Sequence, residues 1–112
     1  NNSTQGWYLC ASPESQDKWR RYLSCYGSNI HWDFIRLAMS SVARYVLFPL
    51  QDIFGLDSSG RMNTPGTSQG NWTWRYLKKQ LNSGTAAYLK ELSELYGRHP
   101  ETAAEAEEVK GV

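Results

Sequence analysis

Residues Tyr45–Leu50, YVLFPL, make a short continuous apolar run with β-branched and aromatic members, the pattern of a strand buried on both faces. Such strands belong to parallel sheets flanked by helices. A lone buried strand has no ladder partner, and each backbone group left unpaired costs about 1 to 3 kcal/mol. No second run of this kind stands elsewhere in the 112 residues. The chain therefore reads as an α/β piece of something larger, mostly helical, with one buried strand near 45–50. Pro49 fits a strand terminus but not the middle of a ladder. Gln51 and Asp52 follow at the carboxyl end, where α/β folds bind ligands. Asp52 has a suggestive address, but with no second acid beside it a structural hydrogen bond competes strongly with catalysis.

The stretch Gly60–Arg75, GRMNTPGTSQGNWTWR, is too rich in turn formers to be a regular element. Asn63, Gln69, Asn71 and Arg75 offer hydrogen-bonding groups, and Trp72 and Trp74 offer flat apolar faces. Neutral amides beside aromatic faces suit a hydroxylated, uncharged ligand such as a sugar. The same residues also suit a long structured loop whose tryptophans anchor it to a core. Charge favours a neutral partner, since twelve basic and eleven acidic residues leave +1. No global field recruits nucleic acid or an anionic membrane, and no apolar run approaches the roughly 20 residues of a membrane span. The start shows neither a basic segment nor an apolar signal core, which carries little weight in a chain that begins at Asn1 without methionine.

Helices are expected around these two features. Ser3 or Thr4 caps a short one that offers Trp7, Tyr8 and Leu9 for burial. Ser12 as N-cap, Pro13 at the first position and Glu14 in the first turn open a second. Its Trp19, Tyr22, Leu23 and Tyr26 form one apolar face, read as packing, with Gly27 as the stop. Ser28 or Asn29 caps a third helix over 30–44, with Ile35, Ala38, Met39 and Val42 opposite Asp33, Arg36, Ser40 and Arg44. His31, alone in its first turn, reads as structural. Ile53–Leu56 forms a helical turn. A last helix from Ser83 or Thr85 gathers Tyr88, Leu89, Leu92, Leu95 and Tyr96 and stops at Gly97. From His99 to Val112 the composition is that of a frayed or disordered tail.

Phosphate loops, nucleophile elbows, zinc patterns and dinucleotide fingerprints are all absent, so no metal or cofactor is expected. Cys10 and Cys25 form no CxxC pair and read as ordinary thiols in a reducing compartment. Asn1, Asn2 and Asn71 open N-x-Ser/Thr patterns that matter only in a secreted protein. Glycoside chemistry needs two carboxyl groups roughly 5 to 10 Å apart. Only Asp52 and Asp57 flank the Gly60 loop, and they do not make a convincing pair.

The blocks IRLAMSSVA, FPLQDIFGL, RMNTPGT and GNWTWR, in that order from Trp32 to Arg75, resemble the C-terminal part of amylomaltases, the 4-alpha-glucanotransferases or disproportionating enzymes. The opening NNSTQGW resembles the segment directly after the family's histidine and aspartate at the end of the seventh barrel strand. LSELYGR resembles its final helix, so the likeness covers residues 1–98 and leaves 99–112 unmatched. DSSG before Arg61 departs from many relatives and puts acceptor preference in doubt.

The resemblance implies the C-terminal part of a (β/α)8 TIM barrel, with Tyr45–Leu50 as its eighth strand. It implies a retaining enzyme that holds a glucan segment on an aspartate and passes it to another sugar's 4-hydroxyl. All three family carboxylates would lie upstream of Asn1, leaving no catalytic residue in this chain. Asn63 matches the asparagine of the family's RMN motif, which contacts donor-sugar hydroxyls. Arg61 stands in the same motif, and Gln69 falls at a polar loop position near those sugars. Asn71, Trp72 and Arg75 match the GNW and WR positions and are expected mainly to brace the loop, and Gln51 and Asp52 would support it at the strand end. The implied partners are maltooligosaccharides or α-1,4-glucans and the rest of the chain's own barrel, in bacterial cytoplasm or a plastid. A free-standing carbohydrate-binding module and a helical interaction domain are the alternatives.

Overall fold

A computed structural model describes residues 2–100, and over them the chain is a set of five helices joined by long, internally bonded loops. Helix α1, Thr4–Cys10, starts where the Ser3 hydroxyl accepts the Gly6 amide. Helix α2, Pro13–Leu23, starts at Ser12, whose hydroxyl accepts from Ser15 N. Both sequence-expected caps are in place, each satisfying a donor the helix leaves orphaned. Helix α3, Ile30–Met39, is shorter than its apolar pattern, because Ser40 and Ser41 turn their hydroxyls back onto Leu37 O and Ala38 O and end the helical path. Helix α4, Leu50–Ile53, is one turn. Helix α5, Ser83–Leu95, starts at Ser83 as expected and is capped by Asn82, with Asn82 Oδ1 accepting from Thr85 N at 2.8 Å. Gly97, at φ +67°, ends it as expected.

The buried strand over 45–50 is not present, and among the described residues there is no strand at all. Residues 45–49 run extended with no ladder, and their burial alternates. Tyr45 and Leu47 are 76% and 92% exposed, while Val46 and Phe48 are half-buried. The physical reason is the one that made the run conspicuous. A ladder needs a neighbouring strand, and residues 2–100 supply none. Only the inward side finds a partner, where Phe48 packs on the core cluster.

That core is small, centred on Ile35 and Met39 of α3 and Leu92 of α5, with Trp32, Phe48, Ile53, Tyr88 and Tyr96 against it. The expected stripe Ile35, Ala38, Met39, Val42 is realised only as far as the helix runs, since Val42 lies beyond it and is fully exposed. Helix α2 buries none of its residues. Tyr22 and Tyr26 of its expected packing face are 69% and 98% exposed. Trp19 turns instead to Trp7 and Phe34, with ring centroids 6.2 and 5.0 Å away. Gly27 is not the stop of α2 either. Ser24, in the left-handed conformation at φ 53°, closes it. Gly27, at φ +85°, lets Tyr8 pass, for a Cβ there would stand 2.7 Å from the Tyr8 hydroxyl.

Arg98 locks the end of α5 to the turn after α3. Its guanidinium donates to Met39 O at 2.8 Å, Ala43 O at 2.8 Å and Ser41 O at 3.2 Å. Met39 O is one of the carbonyls that a helix C-terminus leaves without a partner, and its negative dipole suits a cation, while Ser41 O and Ala43 O belong to the turn beyond the helix. A charge-assisted bond contributes about 1.5 to 3 kcal/mol, less where solvent reaches it, as at Ser41 and Ala43. Arg98→Ala is therefore expected to lower the unfolding midpoint in urea by an amount equivalent to about 1 to 2 kcal/mol, with Arg98→Lys recovering only part. Two variants indistinguishable from the parent in urea would show the clamp to be idle.

Candidate functional site

The extended segment 45–49 delivers Gln51 and Asp52 onto α4, which Pro49 opens at φ −70°. Asp52 is committed structurally, since its Oδ1 accepts the Thr4 amide at 2.7 Å. Beside it, the Ser3 hydroxyl shares its donor between Leu56 O at 2.6 Å and Asp57 O at 3.0 Å. Asn2 Oδ1 accepts from Ser3 N at 2.9 Å, and Asn2 Nδ2 donates to Ser58 Oγ at 3.1 Å. The first residues of the chain are thus stitched to residues 52–58, some fifty positions away. Asp57 in turn accepts the Ser59 amide at 2.9 Å and opens the short 3-10 turn Ser58–Gly60. Hydrogen bonds from the Ser59 side chain and then its backbone hold the Asp57 carboxyl below the usual carboxylate range.

From Gly60 the chain folds into a loop closed by its own polar groups. Asn71 is the main brace, with Oδ1 accepting from Thr64 N at 2.8 Å and Nδ2 donating to Thr67 O at 3.1 Å. Arg61 Nε donates to Asn63 O at 3.2 Å, and Arg75 Nη1 donates to Trp74 O at 2.8 Å and Trp72 O at 3.1 Å. Trp72 N donates to Met62 O across the base of the loop. Trp72 sits at φ +61°, a left-handed conformation that costs a bulky residue of order 1 to 3 kcal/mol. That backbone leaves the indole 65% exposed at the mouth of a cleft.

The cleft has a volume of about 240 Å³. Asn2, Gln51, Arg61, Met62, Asn63 and Trp72 are among the residues lining it. That is below the roughly 300 to 1,000 Å³ of a complete ligand pocket, as one wall of a larger site would be. Three carboxamides, a guanidinium and an indole line it. The hydrogen bonds that close the loop run through Asn71, Thr67, Arg61 and Arg75. Among the described residues none uses the carboxamide of Asn63 or of Gln51. The donors and acceptors of these two side chains can therefore meet a neutral hydroxylated ligand.

The cleft thus brings together Asn63, Arg61, Trp72 and Gln51 of the sequence-expected residues. It does not include Gln69, which lies exposed elsewhere on the loop. Asn71 and Asp52 brace the site without lining it. Asn2 and Met62 were not among the expected residues. Asn2 carried only its N-x-Ser/Thr pattern, and nothing local to it signals a contact with residue 58. Asn71, the third such pattern, has its carboxamide bonded within the loop.

His31 stands behind the site as packing. Its ring occupies the space a Cβ on Gly55 would need, with Cε1 2.7 Å from that position, which only a glycine at φ +67° permits. Burial pushes the imidazole pKa down, opposed by the charges of Asp33 and Asp52. Among the described residues no three His, Cys, Asp or Glu side chains group as metal ligands, and no helix is long and apolar enough to cross a membrane.

Comparison with known proteins gives a consistent result. The family profile described as 4-alpha-glucanotransferase matches residues 1–81. The chain is 52% identical over 99 residues to the 4-alpha-glucanotransferase of Synechocystis sp., covering 88% of this chain and 20% of that protein. It is 42% identical to the chloroplastic/amyloplastic 4-alpha-glucanotransferase of Arabidopsis thaliana, covering 88% and 18%. In structure it matches the amylomaltase from Streptococcus agalactiae in complex with acarbose. The TM-score is 0.83 at 28% identity, covering 89% of this chain and 20% of that one. The chain spans about a fifth of the length of the curated relatives it matches.

Proposed function

The chain belongs to the 4-alpha-glucanotransferase family, and on that premise we propose that it is one wall of an enzyme that transfers α-1,4-linked glucan segments between maltooligosaccharides. The reading rests on the cleft, where the Asn63 and Gln51 carboxamides, the Arg61 guanidinium and the Trp72 indole converge. Asn63 offers both a donor and an acceptor, the pair that two neighbouring sugar hydroxyls require. Arg61 holds the Asn63 backbone by its own bond and so orients that side chain. Trp72 closes one side with an apolar face. Asn71 and Asp52 keep the loop and the start of α1 in register, and Gln69 lies further out on the loop, toward longer substrates.

The chemistry is a retaining transfer through a covalent glycosyl-enzyme. It requires two carboxyl groups about 5 to 5.5 Å apart, one as nucleophile and one as acid/base. Asp52 and Asp57 each accept a backbone amide through one oxygen, as structural carboxylates do. The resemblance to the family implies that the reacting carboxylates belong to parts of the enzyme outside residues 1–112. The fold proposed for the whole is a (β/α)8 barrel in which residues 45–50 gain their ladder partners from those parts. Residues 1–98 then belong to the catalytic domain. Residues 101–112 of the expected tail lie outside the described residues. A bacterial cytoplasm, or a plastid in a plant or alga, is the proposed setting.

The test is a completed chain in which these residues replace the matching segment of the Synechocystis relative. It is expected to disproportionate maltotriose. A soluble, folded completed chain that leaves maltotriose untouched would refute the reading.

A further inference from the structure

A second concave surface lies between the N-terminal turns of α3 and α5, with a volume of about 610 Å³. Trp32 and Tyr88 stand at its base edge to face, ring centroids 4.6 Å apart at 82°. Both are half-buried, anchored from below by the Ile35, Met39 and Leu92 core. Asn29, Asp33, Arg36 and Asn82 surround them. Asn29 precedes α3 but makes no side-chain cap bond, so its carboxamide is free to face a ligand. No residue of this groove lines the Asn63 cleft.

We infer that this groove binds a glucose unit of an α-glucan chain, as a holding site separate from the cleft. The chemistry is selective. Asp33 beside Arg36 gives no net attraction for an anion, and four polar side chains disfavour an apolar peptide. A sugar ring fits both parts, with its C–H face on the Trp32 and Tyr88 corner and its hydroxyls on the Asp33 carboxylate, the Arg36 guanidinium and the Asn29 amide. The aromatic pair is fixed by packing, so binding orders few side chains. A long glucan held here raises the local concentration of chain ends near the cleft, an advantage that a trisaccharide too short to reach both sites cannot gain.

The inference rests on the proposed function, and the two are separated by substrate length. In the completed chain, amylose embedded in a native gel should retard the parent. Trp32→Ala, and the exposed pair Asn29→Ala with Arg36→Ala, should each weaken retardation at least fivefold. The same variants should raise KM for amylose about fivefold more than KM for maltotriose. The exposed pair guards against loss of fold in Trp32→Ala, because neither side chain is buried. Retardation by amylose equal to the parent's in both variants, with maltotriose turnover intact, would overturn the groove alone. A parent that does not turn over maltotriose would overturn the groove and the function together.

Discussion

Asn63→Ala in the completed chain is expected to lower kcat/KM for maltotriose disproportionation by roughly tenfold to a hundredfold while leaving the fold intact. The backbone carbonyl of Asn63 holds the Arg61 bond and survives the substitution, so what is lost is the carboxamide alone. Two hydrogen bonds to an uncharged sugar contribute about 1 to 3 kcal/mol together, and about 1.4 kcal/mol is a tenfold change in rate. If those bonds strengthen as the sugar distorts toward its oxocarbenium-like transition state, the loss falls on kcat rather than on KM. Steady-state kinetics on maltotriose, with circular dichroism to confirm the fold, decides the matter. Wild-type kinetics would remove Asn63 from the site.

Gly6→Ala is expected to do as much damage from a position that touches no sugar. Gly6 lies inside α1, where helix propensity alone would make alanine better by about 1 kcal/mol. The packing says otherwise. A Cβ there would stand 2.6 Å from Asn2 Oδ1, 2.7 Å from Ser58 Oγ and 2.8 Å from Ser58 N. The two side chains can swing away, but the backbone nitrogen cannot, so α1 and residues 56–58 must part. Overpacking of this kind costs about 1 to 3 kcal/mol and outweighs the propensity gain. It also breaks the Asn2 to Ser58 and Ser3 to Leu56 bonds that set one edge of the cleft. The expected result is a faster thermal inactivation and a kcat/KM at least tenfold lower. A variant more heat-stable than the parent and equally active would show that propensity, not packing, governs this position.

The helix starts were legible because capping is local. Ser3 and Ser12 each bond an amide three residues on, so a short window of sequence contains both partners. The loop was legible for a similar reason, since Asn71, Thr64 and Thr67 close it over seven positions. What failed depends on partners far away in sequence or outside these residues. The run YVLFPL has the right composition for a buried strand, but its ladder needs chain that residues 2–100 do not contain. The Trp19, Tyr22, Leu23, Tyr26 stripe has helical spacing, yet α2 ends at Leu23, Tyr22 points outward from it and Tyr26 lies exposed beyond its end. Asn2 reaches the cleft only because Ser3 and Asp52 tie the start of the chain to residues some fifty positions on. Gln69, whose family-matched position places it near the sugars, lies outside the cleft lining, which stops at Asn63 and Trp72 on either side of it.

Maltotriose incubated with the isolated 112-residue chain and, in parallel, with the completed chain asks most directly whether these residues are one wall of a glucan-transfer site. The completed chain should move a maltosyl unit from one maltotriose to the 4-hydroxyl of another, giving glucose and maltopentaose and then a ladder of longer products. The isolated chain should give none, because on the proposed reading the reacting pair of carboxyl groups lies in the rest of the enzyme, while Asp52 and Asp57 hold backbone amides. A ladder from the isolated chain, or a folded completed chain that makes none, would contradict the account.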